Sequence, residues 1–161
     1  MPEIPVERIQ PCLFDRLIDE DPESRQDSRA SRVISLQRYR DGVLRDLRSL
    51  LNASAHLDEE DCEQFGQVRQ SVLTYGIGDL CGELASNLDI AAVEHEILET
   101  IRFFEPRILP NTLSVKAVGE RAKAGPNFIA FEIRGELWAS PMPEQLFIRT
   151  QIDLDSGQCV L

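Results

Sequence analysis

The stretch FFEPRI, residues 103–108, divides the sequence into two kinds of hydrophobic pattern. Before it, apolar residues recur at intervals of three and four, the spacing of one face of an α-helix. After it they recur at every second residue, the spacing of one face of a β-strand. Pro106 must end the helical part, because proline lacks an amide hydrogen and restricts the backbone of the residue before it. The sequence therefore predicts helices first and strands last, which is an α+β fold.

Two long amphipathic helices are predicted before Pro106, with Ser35 and Asp89 as their N-caps. The apolar stripe of the first helix consists of Leu36, Tyr39, Val43, Leu44, Leu47, Leu50 and Leu51. The stripe of the second consists of Ile90, Val93, Ile97, Leu98, Ile101 and Phe104. Gly42 lies inside the first helix, where it costs about 1 kcal/mol relative to alanine. We therefore expect the backbone of another segment to approach the first helix closely at Gly42.

A shorter amphipathic helix is predicted within residues 10–22, which carry Leu13, Leu17 and Ile18 at helical spacing. Residues 23–32 contain no large apolar side chain and have the composition of a polar linker. We therefore divide the chain into two parts. Residues 1–34 form an N-terminal short helix and polar linker, and residues 35–161 form a single α+β domain.

Three strands are predicted after Pro106, joined by short connections into an antiparallel meander. Their inward side chains are Leu113, Val115 and Ala117, then Ile129, Phe131, Ile133 and Leu137, then Leu146, Ile148, Ile152 and Leu154. We expect the two long helices to cover this apolar face and the tail after Asp155 to be disordered. Between the helices, the glycine-rich residues 71–83 predict an ordered loop. Its apolar side chains Val72, Leu73, Ile77 and Leu80 are expected to fill the core.

The composition restricts the partners and the compartment. With 17 basic and 28 acidic residues the net charge is −11, which repels phosphate backbones and anionic lipids, so we expect no nucleic acid partner. No apolar run approaches the ~18 residues of a membrane span, so no membrane insertion is expected. The first residues lack the apolar core of a signal peptide, which predicts a cytoplasmic location. The four cysteines form no CxxC pair and are interpreted as reduced packing residues.

No pattern in the sequence points to catalysis. His56 and His95 lie in no metal-binding motif, no serine lies in GxSxG, and the glycines match no phosphate-binding loop. Pairs of carboxylates are unspecific in a chain with 28 acids. The sequence therefore predicts no catalytic residue, no metal site and no cofactor.

Glu105, Pro106 and Arg107 allow two interpretations. In the first they only end the helix: Arg107 complements the helix dipole, and Glu105 pairs with a nearby base. In the second, proline fixes a rigid corner from which the acid and the base project to bind a partner. Both interpretations remain open from the residues alone.

Four segments together carry a family resemblance: FEPRI, the upstream VLTYGIGDLCG, the early LFDRLIDEDP and the late IRGEL. In this order they resemble the TssE family of type VI secretion baseplate subunits. That family is similar to the small wedge subunit of contractile-tail phage baseplates, whose domain has been labelled lysozyme-like. The resemblance extends from about Arg8 to Leu154, nearly the whole chain.

The resemblance implies a structural protein that joins the wedge subunits TssF and TssG and helps the sheath subunits TssB and TssC to polymerise. It implies partner-binding residues in two motifs, which here are Glu105, Pro106 and Arg107, and Tyr75, Gly76, Asp79 and Leu80. Gly78 stands where the family usually has proline. Two other functions are weighed. One is a small regulatory protein-binding domain similar to an anti-adapter; the other is a hydrolase, for which we predict no glycosidase activity.

Overall fold

The computed structural model describes residue 9 and residues 11–18, 34–55, 57, 62, 64–84, 87–119, 127–139 and 142–161. The predicted linker at 23–32 and His56 lie outside these residues. The helices are α1 (Leu13–Leu17), α2 (Leu36–Leu51) and α3 (Ile90–Phe104). The strands are β1 (Ser114–Val118), β2 (Phe128–Leu137), β3 (Glu144–Asp153) and β4 (Cys159–Val160). None of the helices in the described ranges is both long and apolar enough to cross a membrane.

Helix α2 begins and packs as its sequence pattern predicts. The Ser35 side chain accepts a hydrogen bond from the Arg38 amide at 3.2 Å, which confirms the N-cap. The buried side chains are those of Tyr39, Val43, Leu47, Leu50 and Leu51. The expectation for Gly42 is wrong: among the described residues, no backbone atom of another segment lies within 4 Å of a Cβ built there. A Cβ there would lie 3.5 Å from Asp15 Oδ2 and 3.9 Å from Arg107 Nη1, both of them side-chain atoms.

Helix α3 also has the predicted cap and end. The Asp89 carboxylate accepts hydrogen bonds from the Ala91 and Ala92 amides at 3.0 and 3.3 Å. Its buried face carries Val93, Ile97, Thr100 and Ile101. The helix ends at Phe104, two residues before Pro106, as the missing amide and the restricted backbone require.

The sheet has four antiparallel strands in the order β1-β2-β3-β4, one more than the sequence predicts. β4 pairs Cys159 with Ile152 and Val160 with Gln151. The Asn52 side chain at the end of α2 accepts from the Cys159 amide and donates to the Cys159 carbonyl, both at 2.9 Å. The tail therefore forms an edge strand instead of a disordered segment. A strand of two residues is too short to show an alternating pattern.

The helices cover the apolar face of the sheet, with α3 packed on β1 and α2 packed on α3 and β4. Nearly all predicted inward side chains are buried, and Ala117 is half-buried. Thr150 lies on the same face and is also buried; its hydroxyl donates to the Val160 carbonyl at 3.0 Å. The core lies between this face and the two long helices.

The glycine-rich loop contributes less to the core than predicted. Ile77 and Leu80 are buried, but Val72 and Leu73 are exposed because they lie in a short 3-10 turn, Val72–Thr74, on the surface. Cysteine burial also differs from the prediction. Cys159 is buried in the core, whereas Cys81 is exposed; all four cysteines are free thiols, as predicted.

Candidate functional site: the corner after helix α3

The corner, residues 105–107, is fixed to the sheet by backbone hydrogen bonds. The Glu105 amide still donates to the Ile101 carbonyl of α3 at 2.9 Å. Beyond the proline, the Trp138 amide donates to the Arg107 carbonyl at 2.7 Å, and the Leu109 amide donates to the Glu136 carbonyl at 2.8 Å. The corner is therefore held between the end of α3 and the end of β2.

Glu105 and Arg107 form an ion pair within the chain. Arg107 Nε and Nη2 lie 2.6 and 2.5 Å from the two carboxylate oxygens of Glu105, and the Arg107 amide donates to Glu105 Oε1 at 3.2 Å. Glu105 is only 3% exposed, so it does not project from the corner as the docking interpretation expects. The expectation that Glu105 pairs with a nearby base is confirmed. The forked geometry is the strongest form of such a pair.

Further ion pairs extend from Arg107 to the N-terminal helix. Arg107 Nη2 also donates to Asp46 of α2 at 2.6 Å. Asp46 accepts from Arg45 at 2.8 Å, and Arg45 donates to Asp15 of α1 at 2.6 Å. We call the residues Glu105, Arg107, Asp46, Arg45 and Asp15 the ion-pair chain. It connects the corner to α2 and α1.

Three members of the ion-pair chain, Arg107, Arg45 and Asp15, are held in their charged states by their partners. Burial lowers the pKa of Arg107, but hydrogen bonds and charges from Glu105 and Asp46 outweigh this and raise its pKa above the ordinary value. The hydrogen bond to Asp15 likewise raises the pKa of Arg45. Burial raises the pKa of Asp15. Hydrogen bonds from Cys12 and Arg45 lower it by more, so its net pKa lies below the ordinary value of 3.8. These three groups are thus held charged near neutral pH, which suits structural roles better than proton transfer.

A cleft of about 360 Å³ opens beside the corner. The Tyr75 ring meets the Phe104 ring edge to face, with centroids 5.3 Å apart and planes at 76°. Burial, together with the charges of Asp46 and Glu105, raises the pKa of Tyr75. Among the described residues the Arg107 hydrogen bonds use its amide, Nε and Nη2, and none uses Nη1. The cleft is lined by Cys12, Asp46, Leu50, Tyr75, Phe104, Glu105, Pro106 and Arg107.

The structure brings only one residue of the YGIGDL motif to this cleft, namely Tyr75. Gly76 lies behind it with φ of +124°, where a Cβ would be 2.2 Å from the Ala53 carbonyl oxygen. Asp79 turns away, and its carboxylate accepts from the Cys81 amide at 2.9 Å. Leu80 is buried in the core. Gly76, Asp79 and Leu80 therefore shape the loop that presents Tyr75.

Gly78 has a contact that proline would not allow. Its amide donates to Glu96 Oε1 of α3 at 2.6 Å. Proline, the usual residue at this position in the resembling family, has no amide hydrogen to donate. Here the loop is therefore attached to α3 by a hydrogen bond instead of by the stiffness of a proline ring.

Sequence reasoning missed Asp46, Arg45 and Asp15, because each meets its partners through the fold. Asp46, for example, is 61 positions away from Arg107. One signal was present in α2: Gly42, Asp46 and Leu50 lie four residues apart on one stripe of the helix, beside its apolar residues. A glycine and an acid on such a stripe indicate a polar contact with another element.

No group of three or more His, Cys, Asp or Glu side chains in the described ranges is placed to hold a metal ion. The features that are present define a class of protein: a small α+β scaffold with a charged, internally paired corner beside an open cleft.

The family follows from comparison with known proteins. The model of the family described as baseplate wedge protein gp25 matches residues 37–142, well over half of the chain, and the chain belongs to this family. The matched region contains all of α2 except its first residue, α3, the corner and the YGIGDL motif. No curated protein compared with the chain matches it. The predicted resemblance to baseplate subunits is thus confirmed. The protein is a structural baseplate protein of the phage-tail type, related to the proteins that form the baseplate wedge.

Proposed function

We propose that this protein is a structural baseplate subunit of a type VI secretion system. In this proposal it acts in the cytoplasm, joins the wedge subunits TssF and TssG, and helps the TssB and TssC sheath to begin polymerising. The observation that carries the proposal is the family match over a region that includes the corner and every residue lining its cleft except Cys12. The proposed role is one of assembly, without catalysis and without a cofactor.

The corner is the proposed docking site for the wedge. Arg107 lines the cleft, Pro106 is exposed, and Tyr75 is 37% exposed on the neighbouring loop. Glu105 contributes indirectly, because its buried carboxylate fixes the guanidinium of Arg107 in one orientation. A side chain that is already fixed loses little conformational entropy on binding. Docking at the corner is thereby favoured.

The remaining residues of the YGIGDL motif are proposed to act indirectly. Gly76 permits the loop to pass against Ala53, while Asp79 and Leu80 fix the loop that follows. All three would contribute to wedge binding by placing Tyr75 at the cleft. Their substitution would then weaken binding through loss of local structure.

Binding of the purified TssF–TssG complex tests this proposal with two matched variants. Tyr75 and Phe103 are both aromatic and both 37% exposed, but only Tyr75 lines the cleft. We expect Tyr75→Ala to weaken binding about tenfold or more, because aromatic anchors dominate interface energies. Phe103→Ala should bind like the unchanged protein. Equal affinities for the two variants would contradict docking at the corner, provided circular dichroism shows that both fold.

A further inference from the structure

Helix α1 exposes its apolar side to solvent. Leu13 and Leu17, one helical turn apart, are each 74% exposed, and Phe14 and Ile18 next to them are also exposed. We call these four side chains the α1 face. None of the side chains of α1 is buried. A surface helix of a globular protein normally has the reverse arrangement, with its apolar stripe packed against the core.

Contacts with α2 fix this orientation. Asp15 lies off the apolar stripe of α1 and accepts hydrogen bonds from Arg45 of α2 at 2.6 Å and from the Cys12 thiol at 2.9 Å. The guanidinium carbon of Arg45 also lies 5.1 Å from the centroid of the Phe14 ring. A helix of five residues is too short to be stable alone, so these contacts hold α1 in place while its two leucines stay exposed.

The α1 face adjoins the corner. Cys12, which directly precedes α1, lines the cleft together with Arg107. Side-chain atoms of Asp15 and Arg107 both lie within 4 Å of a Cβ built on Gly42. The ion-pair chain joins the same two residues through α2. A partner that fills the cleft therefore has α1 at its margin.

We infer that the α1 face is a second part of the wedge-binding surface and enters an apolar groove of the wedge complex beside the corner. The inference rests on the proposed docking of the wedge at the corner. Arg107 supplies a directional, charged contact there, whereas burial of the α1 leucines supplies affinity that does not depend on charge. Because α1 is already held by the ion-pair chain, little conformational entropy is lost when it binds.

A membrane and a second copy of this chain fit the α1 face less well. A chain with a net charge of −11 is repelled by anionic lipids, which peripheral helices use for attachment. Two copies that pair through α1 alone would each contribute four side chains, whereas a stable interface uses roughly 20 residues a side. The corner and the α1 face together offer a larger continuous surface. The occupant is therefore the protein that docks at the corner.

Binding of the purified TssF–TssG complex to the full chain tests the inference with matched leucine variants. Leu13→Ala and Leu17→Ala shorten the α1 face, and Leu84→Ala shortens a leucine that is 62% exposed but lies outside α1 and the cleft. We expect about tenfold weaker binding for each α1 variant and unchanged binding for Leu84→Ala. Leu17→Met keeps the apolar volume and should bind like the unchanged protein. Circular dichroism checks that all variants fold.

Amide hydrogen exchange shows what covers the α1 face. We expect residues 13–17 to exchange rapidly in the free protein and slowly once TssF–TssG is bound. Slow exchange in the free protein would show that the chain itself covers this face. Slowing by a higher concentration of the protein alone, or by vesicles of anionic phospholipid, would assign the face to a second copy or to a membrane. Each of these three results overturns the inference.

The binding results also separate this inference from the proposed function. Equal affinities of Leu17→Ala and Leu84→Ala, with Tyr75→Ala still weakened, would overturn the α1 contact and leave the corner as the wedge site. If the unchanged protein does not bind TssF–TssG, the proposed function fails, and the inference that rests on it is overturned as well. The two failures are distinguishable, because only the second is seen with the unchanged protein.

Discussion

At the scale of single residues, two positions carry strong constraints. Gly76 has a left-handed φ of +124° and presses against the Ala53 carbonyl. Arg107 neutralises Glu105, whose carboxylate is almost fully buried. The first constraint is steric and the second electrostatic, and each one shapes the cleft.

Replacing Gly76 by alanine should destabilise the fold by about 3 kcal/mol, because left-handed strain adds to the displacement of a backbone carbonyl. Gly82→Ala is the matched control. Gly82 also has a positive φ, of +81°, but a Cβ there meets nothing within 4 Å, so we expect a loss of only about 1 kcal/mol. Urea unfolding measures both free energies. Equal losses for the two variants would show that the contact with Ala53 has no energetic effect.

Arg107→Ala should lower the free energy of unfolding by about 3 kcal/mol, because it leaves the buried Glu105 carboxylate without its partner. Arg102→Ala removes the same charge from the exposed surface near the end of α3 and should have little effect. Adding Glu105→Gln to Arg107→Ala should recover part of the loss, since the amide is neutral. Denaturant unfolding of the single and double variants gives the coupling energy. A coupling near zero would contradict the role assigned to this ion pair.

At the scale of elements, α2 connects the corner to α1. Gly42 of α2 has no side chain, and the side-chain ends of Asp15 and Arg107 lie next to its backbone. In the same helix, Arg45 bonds to Asp15 of α1, Asp46 bonds to Arg107 of the corner, and the two α2 residues bond to each other. α1 buries none of its own side chains, so polar contacts with α2 contribute much of what holds it.

Gly42→Ala should stabilise the protein by about 1 kcal/mol, because alanine has the higher helix propensity. The added Cβ fits, since its nearest neighbours are side-chain atoms at ordinary contact distances of 3.5 and 3.9 Å. Thermal unfolding checks the sign of the change. A decrease in the melting temperature would show that Asp15 and Arg107 cannot adjust to a methyl group.

The contact between α1 and α2 should weaken only in acid. The pKa of Asp15 is lower in the folded protein than its ordinary value of 3.8. A lowered pKa stabilises the fold above the unfolded pKa, and this contribution disappears as the pH falls through the folded pKa. Backbone chemical shifts of α1 should therefore stay constant above about pH 4 and change below it. In the Asp15→Asn variant these chemical shifts should already be altered at neutral pH and should show no acid transition. A transition near pH 6 in the unchanged protein would contradict the assignment of the transition to Asp15.

At the scale of the whole molecule, the sequence predicts the elements and most of the core because both depend on local periodicity. The caps at Ser35 and Asp89, the helix end before Pro106 and the alternating side chains of β2 and β3 are all local features. The ion-pair chain is different, since its members are distant in sequence and meet only when three helices pack. Arg107 and Tyr75, two of the residues predicted to bind a partner, line the same cleft, while Asp46 and Asp15 were missed.

The fourth strand shows the same limit. β4 has two residues and owes its position to Asn52, 107 positions earlier in the chain. No local pattern specifies that contact.

One measurement tests the central claim, membership in a secretion baseplate, most directly. The tagged, full-length protein is isolated from cells that make it, and the co-purifying proteins are quantified by mass spectrometry. We predict recovery of the wedge subunits TssF and TssG together with the sheath subunits TssB and TssC. Recovery of a protease adaptor in place of the wedge and sheath subunits would contradict the account and favour a regulatory binding protein.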